Sequence, residues 1–217
     1  MSIKQEWNEH WERTGESLFG KILSLFRKLV LAYAVKHYHE KYFPKKGVFL
    51  ETGCGTSQTS IKIIKHKRKY IAIDISEAAL KEAKKIKIFD EFVKADIRKL
   101  PFKDNSVDGV WNLGVMEHFS QSEIQKILKE TKRVLRKGAV AILFWPYKYA
   151  PYQLLLKSIS KIGKIFGKKI EFFPNEPSQL KSKKQAKKIV LKAGFSECKA
   201  YYNFRDLFSY MVVICKK

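Results

Sequence analysis

The sequence predicts an α/β fold in which a seven-stranded, mostly parallel sheet carries helices on both faces. Three observations lead there. Short apolar runs alternate with segments of helical period from Gly47 to Gly194. Acidic residues follow four successive runs, at Glu51, Asp74, Asp96 and Glu117. The last two runs, Lys199–Phe204 and Tyr210–Cys215, have a short connection, which requires them to pair antiparallel.

Residues 2–43 read as helices, with Leu18, Ile22, Leu25, Phe26 and Leu29 at helical spacing, and Pro44 and Gly47 end the region. Val48–Glu51 is the first strand, and Ser57–Lys65 is expected to form the helix after it. Tyr70–Asp74 is the second strand. Ser76 is placed to cap a helix running to Lys85, with Glu77 in its first turn. Phe92–Ala95 and Val107–Asn112 follow as strands. Ser120-Gln-Ser-Glu123 has the spacing of a capping box, and Ile124, Ile127, Leu128 and Leu135 continue on one helical face as far as Gly138. Ala139–Trp145 is the fifth strand. Ser182-Lys-Lys-Gln185 is a second capping-box pattern, opening a helix that ends at Gly194.

Composition narrows the functional classes. The formal charge is +23, from 44 basic and 21 acidic side chains, while 45% hydrophobic residues exclude a disordered basic tail. Three scattered cysteines without CxxC or Cys/His spacing give no expectation of a metal site and fit a reducing, cytoplasmic setting. Met1–Arg13 contains Glu6, Glu9 and Glu12 and no apolar core, so no secretory signal is expected. Lys21, Arg27, Lys28 and Lys36 interrupt the most apolar region, which argues against a spanning helix.

The segment Leu50–Ser57, LETGCGTS, sets an acid and Gly-x-Gly at a strand end. Glycines there let the backbone approach a ligand and adopt torsions other residues avoid. Asp74 lies about 20 residues on, where a carboxylate takes both hydroxyls of a ribose. Asp96 can accept from an adenine amino group, and Ile75 and Ile97 can sandwich the ring. The dinucleotide fingerprint requires glycine where Gln58 stands, which disfavours a pyrophosphate cofactor, and no GxxxxGK[ST] phosphate loop exists.

LETGCGTS, YIAIDIS (70–76), KADIRKLPF (94–102), VDGVWNLGVMEHF (107–119) and LRKGAVAILFWP (135–146) together resemble a class I S-adenosylmethionine-dependent methyltransferase of the small-molecule type. The resemblance implies a Rossmann-like seven-stranded sheet with an antiparallel C-terminal hairpin. It also implies S-adenosyl-L-methionine as cofactor and S-adenosyl-L-homocysteine as product. Glu51, Gly53, Cys54 and Gly55 then match the cofactor loop, Asp74 the ribose ligand, and Asp96 with Ile97 the adenine site. Asn112 and Leu113 match the residues flanking the methionine moiety. His118, whose imidazole titrates near neutrality, is the candidate catalytic base, against the alternative that Glu117-His118 only shapes the pocket. Tyr33, Tyr147 and Tyr149 are further candidates for the pocket lining.

Two regions lie outside this core. Residues 1–46 are expected to form an N-terminal helical lid carrying Trp7 and Trp11, with Arg13 near the methionine carboxylate, and 47–217 the methyltransferase domain. Within that domain, 147–177 is an insertion in which Leu154, Leu155, Ile159, Ile162, Ile165 and Phe166 alternate with lysines, a basic amphipathic pattern. Residues 131–170 contain ten basic residues and no acid, and 177–196 six lysines and no acid. Such a field favours an anionic small-molecule or lipid acceptor and peripheral contact with the inner, anionic membrane surface. RNA methylation is an alternative, as is a non-catalytic methyltransferase-like protein binding RNA or membrane. Lys far outnumbers Arg, the usual phosphate reader, and an amino-methylating NPPY-type motif is missing after the fourth strand.

Overall fold

A computed structural model describes residues 18–151 and 177–217 of the chain. Trp7, Trp11, Arg13 and most of the basic amphipathic segment lie outside the described residues. The chain begins with α1 (Leu18–Phe26), passes through a π-helical turn at Arg27–Leu31, and continues as α2 (Ala32–Tyr42). The turn arises because the Ala32 N–H donates to the Arg27 carbonyl, one residue further back than in an α-helix. Phe43 is extended, as a residue before proline must be, and this ends α2.

The strands are β1 (Lys46–Thr52), β2 (Lys67–Asp74), β3 (Glu91–Lys94), β4 (Val107–Leu113), β5 (Leu135–Pro146), β6 (Glu197–Tyr202) and β7 (Tyr210–Lys216). They form one seven-stranded sheet in the order β3-β2-β1-β4-β5-β7-β6. β1 to β5 pair parallel, and β7 inserts antiparallel between β5 and β6. The register sets Glu51 beside Ala72 and Trp111, so the carboxyl ends of β1, β2 and β4 lie at one edge.

One face of the sheet packs Leu50, Ile71, Val110, Ala141 and Leu143 against α4 (Gln121–Val134) and α5 (Lys183–Lys192). The other packs Phe49, Tyr70, Trp111, Ile142 and Phe144 against α2 and α3 (Glu77–Ala83). The caps follow the sequence pattern. Ser120 and Glu123 form the reciprocal box at α4. At α5, Ser182 accepts from Gln185 N–H, while the Gln185 side chain reaches Lys181 N–H, one residue before the cap. No helix among the described residues is long and apolar enough to cross a membrane.

The helix expected over Ser57–Lys65 is absent. Gln58–Ser60 makes a single 3₁₀ turn, and β2 starts at Lys67. Ser57 adopts a left-handed φ of 51°, and both Ser57 and Ser60 donate their hydroxyls to Glu51, which folds the chain back over the strand end. The Thr and Ile content of 56–64 weakens helix formation further. Val35, Tyr38 and His39 of α2 are buried on this face. Arg68 fixes α2 there: its buried guanidinium donates to Glu40 (2.5 Å), the Phe43 and Pro44 carbonyls (2.9 and 2.8 Å) and the Tyr70 hydroxyl (3.2 Å). Residues 32–42, inside the expected lid, are therefore part of the sheet's packing.

Candidate active site

The loop after β1 gathers the first group of expected residues. Gly53 and Gly55 have φ of +65° and +51°. A Cβ on Gly53 would meet Val115 Cγ2 at 2.8 Å, so both the torsion and the space require glycine there. Cys54 is buried, its N–H donates to the Ile73 carbonyl (2.9 Å), and burial pushes its thiol well above the ordinary range. Cys54 is thus a packing residue of the loop without thiolate chemistry.

Two carboxylates stand under this loop. Asp74, at the end of β2, accepts from Gly55 N–H and Ser76 N–H, both at 2.8 Å, one on each oxygen. Burial raises its pKa against the pull of these bonds. The backbone amides fix the direction in which the carboxylate faces and leave it acceptor capacity for a ligand. Glu51 is buried and accepts from Ser57 Oγ (2.9 Å) and Ser60 Oγ (2.8 Å). Desolvation dominates over these two bonds and pushes its pKa up to about 7.

Asp96, two residues past β3, is held by a neighbour that the sequence reading did not include. Arg98 donates from its backbone N–H, Nε and Nη2 to the Asp96 carboxylate at 2.7–3.0 Å, and from Nη1 to Glu123 (2.6 Å). These contacts hold the Asp96 carboxyl below its ordinary range despite partial burial. Ile97 is buried in the core, whereas Ile75 is half-buried. The Asp96-x-Arg98 spacing was a usable signal, because a residue two positions on in a turn can reach back to the same carboxylate.

The second group lies beyond β4. Asn112 is buried, and its Oδ1 has no hydrogen-bond partner among the described residues; Leu113 is half-buried beside it. Glu117 and His118 sit in a 3₁₀ turn, Met116–His118, with His118 Nε2 3.7 Å from Glu117 Oε1. Ser178 N–H donates to the Glu117 carbonyl, and Ser178 O accepts from the buried Trp145 indole (2.7 Å), which ties the segment before α5 to this turn. Gly114 brings Glu117 Oε1 and the Tyr210 hydroxyl together, each 3.4 Å from where its Cβ would be.

Arg27 joins this second group. Burial lowers its pKa, and Tyr210 is near enough to counter part of that effect. The π-turn Arg27–Leu31 packs on both the Gln58–Ser60 turn and the Phe204–Asp206 turn, so it spans the carboxyl edge between the glycine loop and the β6–β7 connection. Of the tyrosines, Tyr147 meets Tyr149 edge-to-face and Tyr202 at a tilt, whereas Tyr33 is exposed under the Lys62 ammonium.

The residues fit an adenosylmethionine. A glycine turn that excludes side chains, a ribose-type carboxylate fixed by two amides, and a buried unpartnered amide oxygen line one edge of the sheet.

Known proteins agree with this arrangement. A family model described as "Methyltransferase domain" matches residues 50–143. A probable S-adenosylmethionine-dependent methyltransferase of Mycobacterium tuberculosis is 32% identical over 97 residues, 45% of this chain and 35% of that protein. A malonyl-[acyl-carrier protein] O-methyltransferase of Hamiltonella defensa is 32% identical over 100 residues, covering 46% and 38% of the two chains. The chain thus spans little more than a third of the length of these relatives. Among solved structures, magnesium protoporphyrin IX methyltransferase of Synechocystis with bound SAH shares the fold at TM-score 0.67 and 19% identity, covering 99% of this chain and 98% of that one. A possible histamine N-methyltransferase of Thermotoga maritima does so at TM-score 0.65 and 19% identity, covering 99% and 98%. Residues 50–143 thus match a methyltransferase domain, and the chain has the fold of S-adenosylmethionine-dependent methyltransferases.

Proposed function

We propose that this chain transfers a methyl group from S-adenosylmethionine to an anionic small-molecule or lipid acceptor. The observation that carries the reading is the Asp74 carboxylate, buried at the end of β2 and aimed by the Gly55 and Ser76 amides. When bound, the cofactor supplies an electrophilic sulfonium methyl and a neutral leaving group.

The protein's part is then mainly positioning, which supplies much of the rate in a displacement of this kind. Asp74 accepts both ribose hydroxyls, and Asp96, already taking three N–H groups of Arg98, accepts the adenine amino group on its remaining acceptor position. Asn112 Oδ1 accepts from the methionine amino group, since a buried amide oxygen without a partner costs free energy until one arrives. Ile75 and Ile97 border the adenine ring, Leu113 the methionine chain. Beyond β4, Arg27 and the lysine-rich segments favour an acceptor of negative charge. His118 takes the acceptor's proton where the nucleophile carries one, with Glu117 at 3.7 Å favouring the imidazolium that results.

The test is transfer of labelled methyl from S-adenosylmethionine to cell extract separated into lipid, metabolite, RNA and protein pools. Label in the lipid or metabolite pool supports the reading. Label confined to RNA replaces the acceptor. Binding to RNA or vesicles with no transfer to any pool replaces catalysis by the alternative reading of the basic surface as a binding surface only.

A further inference from the structure

We propose that an exposed apolar ridge at the carboxyl edge of the sheet docks this protein on an anionic lipid bilayer. The ridge has two parts. Ile22, Leu25 and Leu29 fall on one stripe of the N-terminal helix, and Phe204, Leu207 and Phe208 form the tip of the β6–β7 connection; all are 49–63% exposed. The two parts adjoin, because the π-turn that carries Leu29 packs on the Phe204–Asp206 turn. Isolated exposed apolar residues need no explanation, whereas two groups of three large ones on adjoining elements do.

The tip is a built feature. Leu207 and Phe208 both adopt φ of +57°, a left-handed conformation that bulky residues avoid. Phe208 N–H donates to the Asn203 carbonyl (2.9 Å), and Ser209 N–H to the fully buried Asp206 carboxylate (3.1 Å). The fold therefore holds two strained residues so that their apolar side chains face water, and strain retained in this way marks a functional surface.

Charge selects the occupant. The stretch from Lys21 to Lys36 contains no acidic residue, and Lys21 and Lys28 are exposed beside the apolar stripe. The Arg205 guanidinium lies 4.4 Å from the Phe204 ring centroid. The one acid at the tip, Asp206, is buried. Apolar side chains ringed by Lys and Arg are matched to the boundary of an anionic membrane, where rings and aliphatic chains insert and cations stay at the headgroups. A nucleic acid offers no apolar phase for Ile22, Leu25 and Leu29. The inference deepens the lipid branch of the proposed acceptor, but it is measured without cofactor, so the two fail separately.

The experiment is co-sedimentation with vesicles of phosphatidylcholine alone and of equal parts phosphatidylcholine and phosphatidylglycerol. The protein should bind the anionic vesicles and scarcely the neutral ones. Leu207→Asn with Phe208→Asn leaves charge unchanged and relieves the left-handed strain, since Asn tolerates that region; it should lower vesicle affinity about tenfold or more. Leu25→Ser with Leu29→Ser should do the same, with circular dichroism and S-adenosylhomocysteine binding as checks on the fold. Absence of binding to anionic vesicles overturns the proposal. So does full binding by both variants, which assigns the attraction to net charge, and so does a dimer dispersed by Leu29→Ser in a protein that ignores vesicles.

Discussion

Glu51 and Asp74 lie at adjacent strand ends, and burial raises the pKa of both against the hydrogen bonds that they accept. Asp74 is fixed by backbone amides, while Glu51 accepts from two hydroxyls and is pushed by burial up to about 7. The folded protein therefore retains a proton on Glu51 that the unfolded chain releases from its ordinary value of 4.5 upward. Stability consequently falls as pH rises through that window, by about 3 kcal/mol in all for this group, one pKa unit being about 1.4 kcal/mol. Asp206, also raised to about 7, acts in the same direction. Glu51→Gln should flatten the decline in urea-unfolding free energy between about pH 5 and pH 8 by roughly half, and an unchanged slope contradicts the assignment. Gly53→Ala should cost about 1–3 kcal/mol in thermal unfolding, through its torsion and its contact with Val115. Adding Val115→Ala relieves the contact and not the torsion, so stability should return in part only. The positions of the glycines and Asp74 were readable in the sequence because an apolar run announces each strand end, and Asn112 entered through the resemblance alone. Arg98 and Arg27 were not: one acts through a turn and the other through a π-turn that brings it to Tyr210, far along the chain.

At the level of elements, the strands and the antiparallel end of the sheet follow from the apolar runs, while the helix expected after β1 does not form. Its absence depends on contacts distant in sequence. Ser57 and Ser60 are tied to Glu51, and α2 is packed on the same face through Val35, Tyr38 and His39. Helical periodicity in 18–42 predicted a helix but could not say which surface it would cover. Arg68 supplies the answer as a buried cation whose acceptors include Glu40 of α2 and the two carbonyls that follow it. Removing Arg68 leaves the Phe43 and Pro44 carbonyls without their donor and breaks its pair with the part-exposed Glu40, so Arg68→Leu should destabilise by about 3 kcal/mol. Urea denaturation of Arg68→Leu, Glu40→Gln and the double variant reads the coupling. If the two single losses simply add, Arg68 does not act as the clamp between α2 and the sheet.

For the whole molecule, the sheet order brings the carboxyl ends of β1, β2 and β4 together at one edge, and the π-turn and the β6–β7 connection close the same edge from the other side. The glycine loop and Asp74 thus lie on one part of the edge, and Glu117, His118 and Tyr210 on another, with the Arg27–Leu31 turn reaching the Phe204–Asp206 turn. The net charge of +23 was plain from composition, but its arrangement around an apolar tip depends on the left-handed pair at Leu207 and Phe208, which no local signal announces. The central claim is that this edge holds an adenosyl cofactor through Asp74. Calorimetric titration with S-adenosylhomocysteine tests it most directly, comparing the wild type with Asp74→Ala and using NADH as a control. The account predicts saturable binding by the wild type, none of NADH, and a roughly tenfold to hundredfold loss in Asp74→Ala, the range for charge-assisted hydrogen bonds. Tight binding of NADH without S-adenosylhomocysteine, or an affinity that Asp74→Ala leaves unchanged, would contradict it.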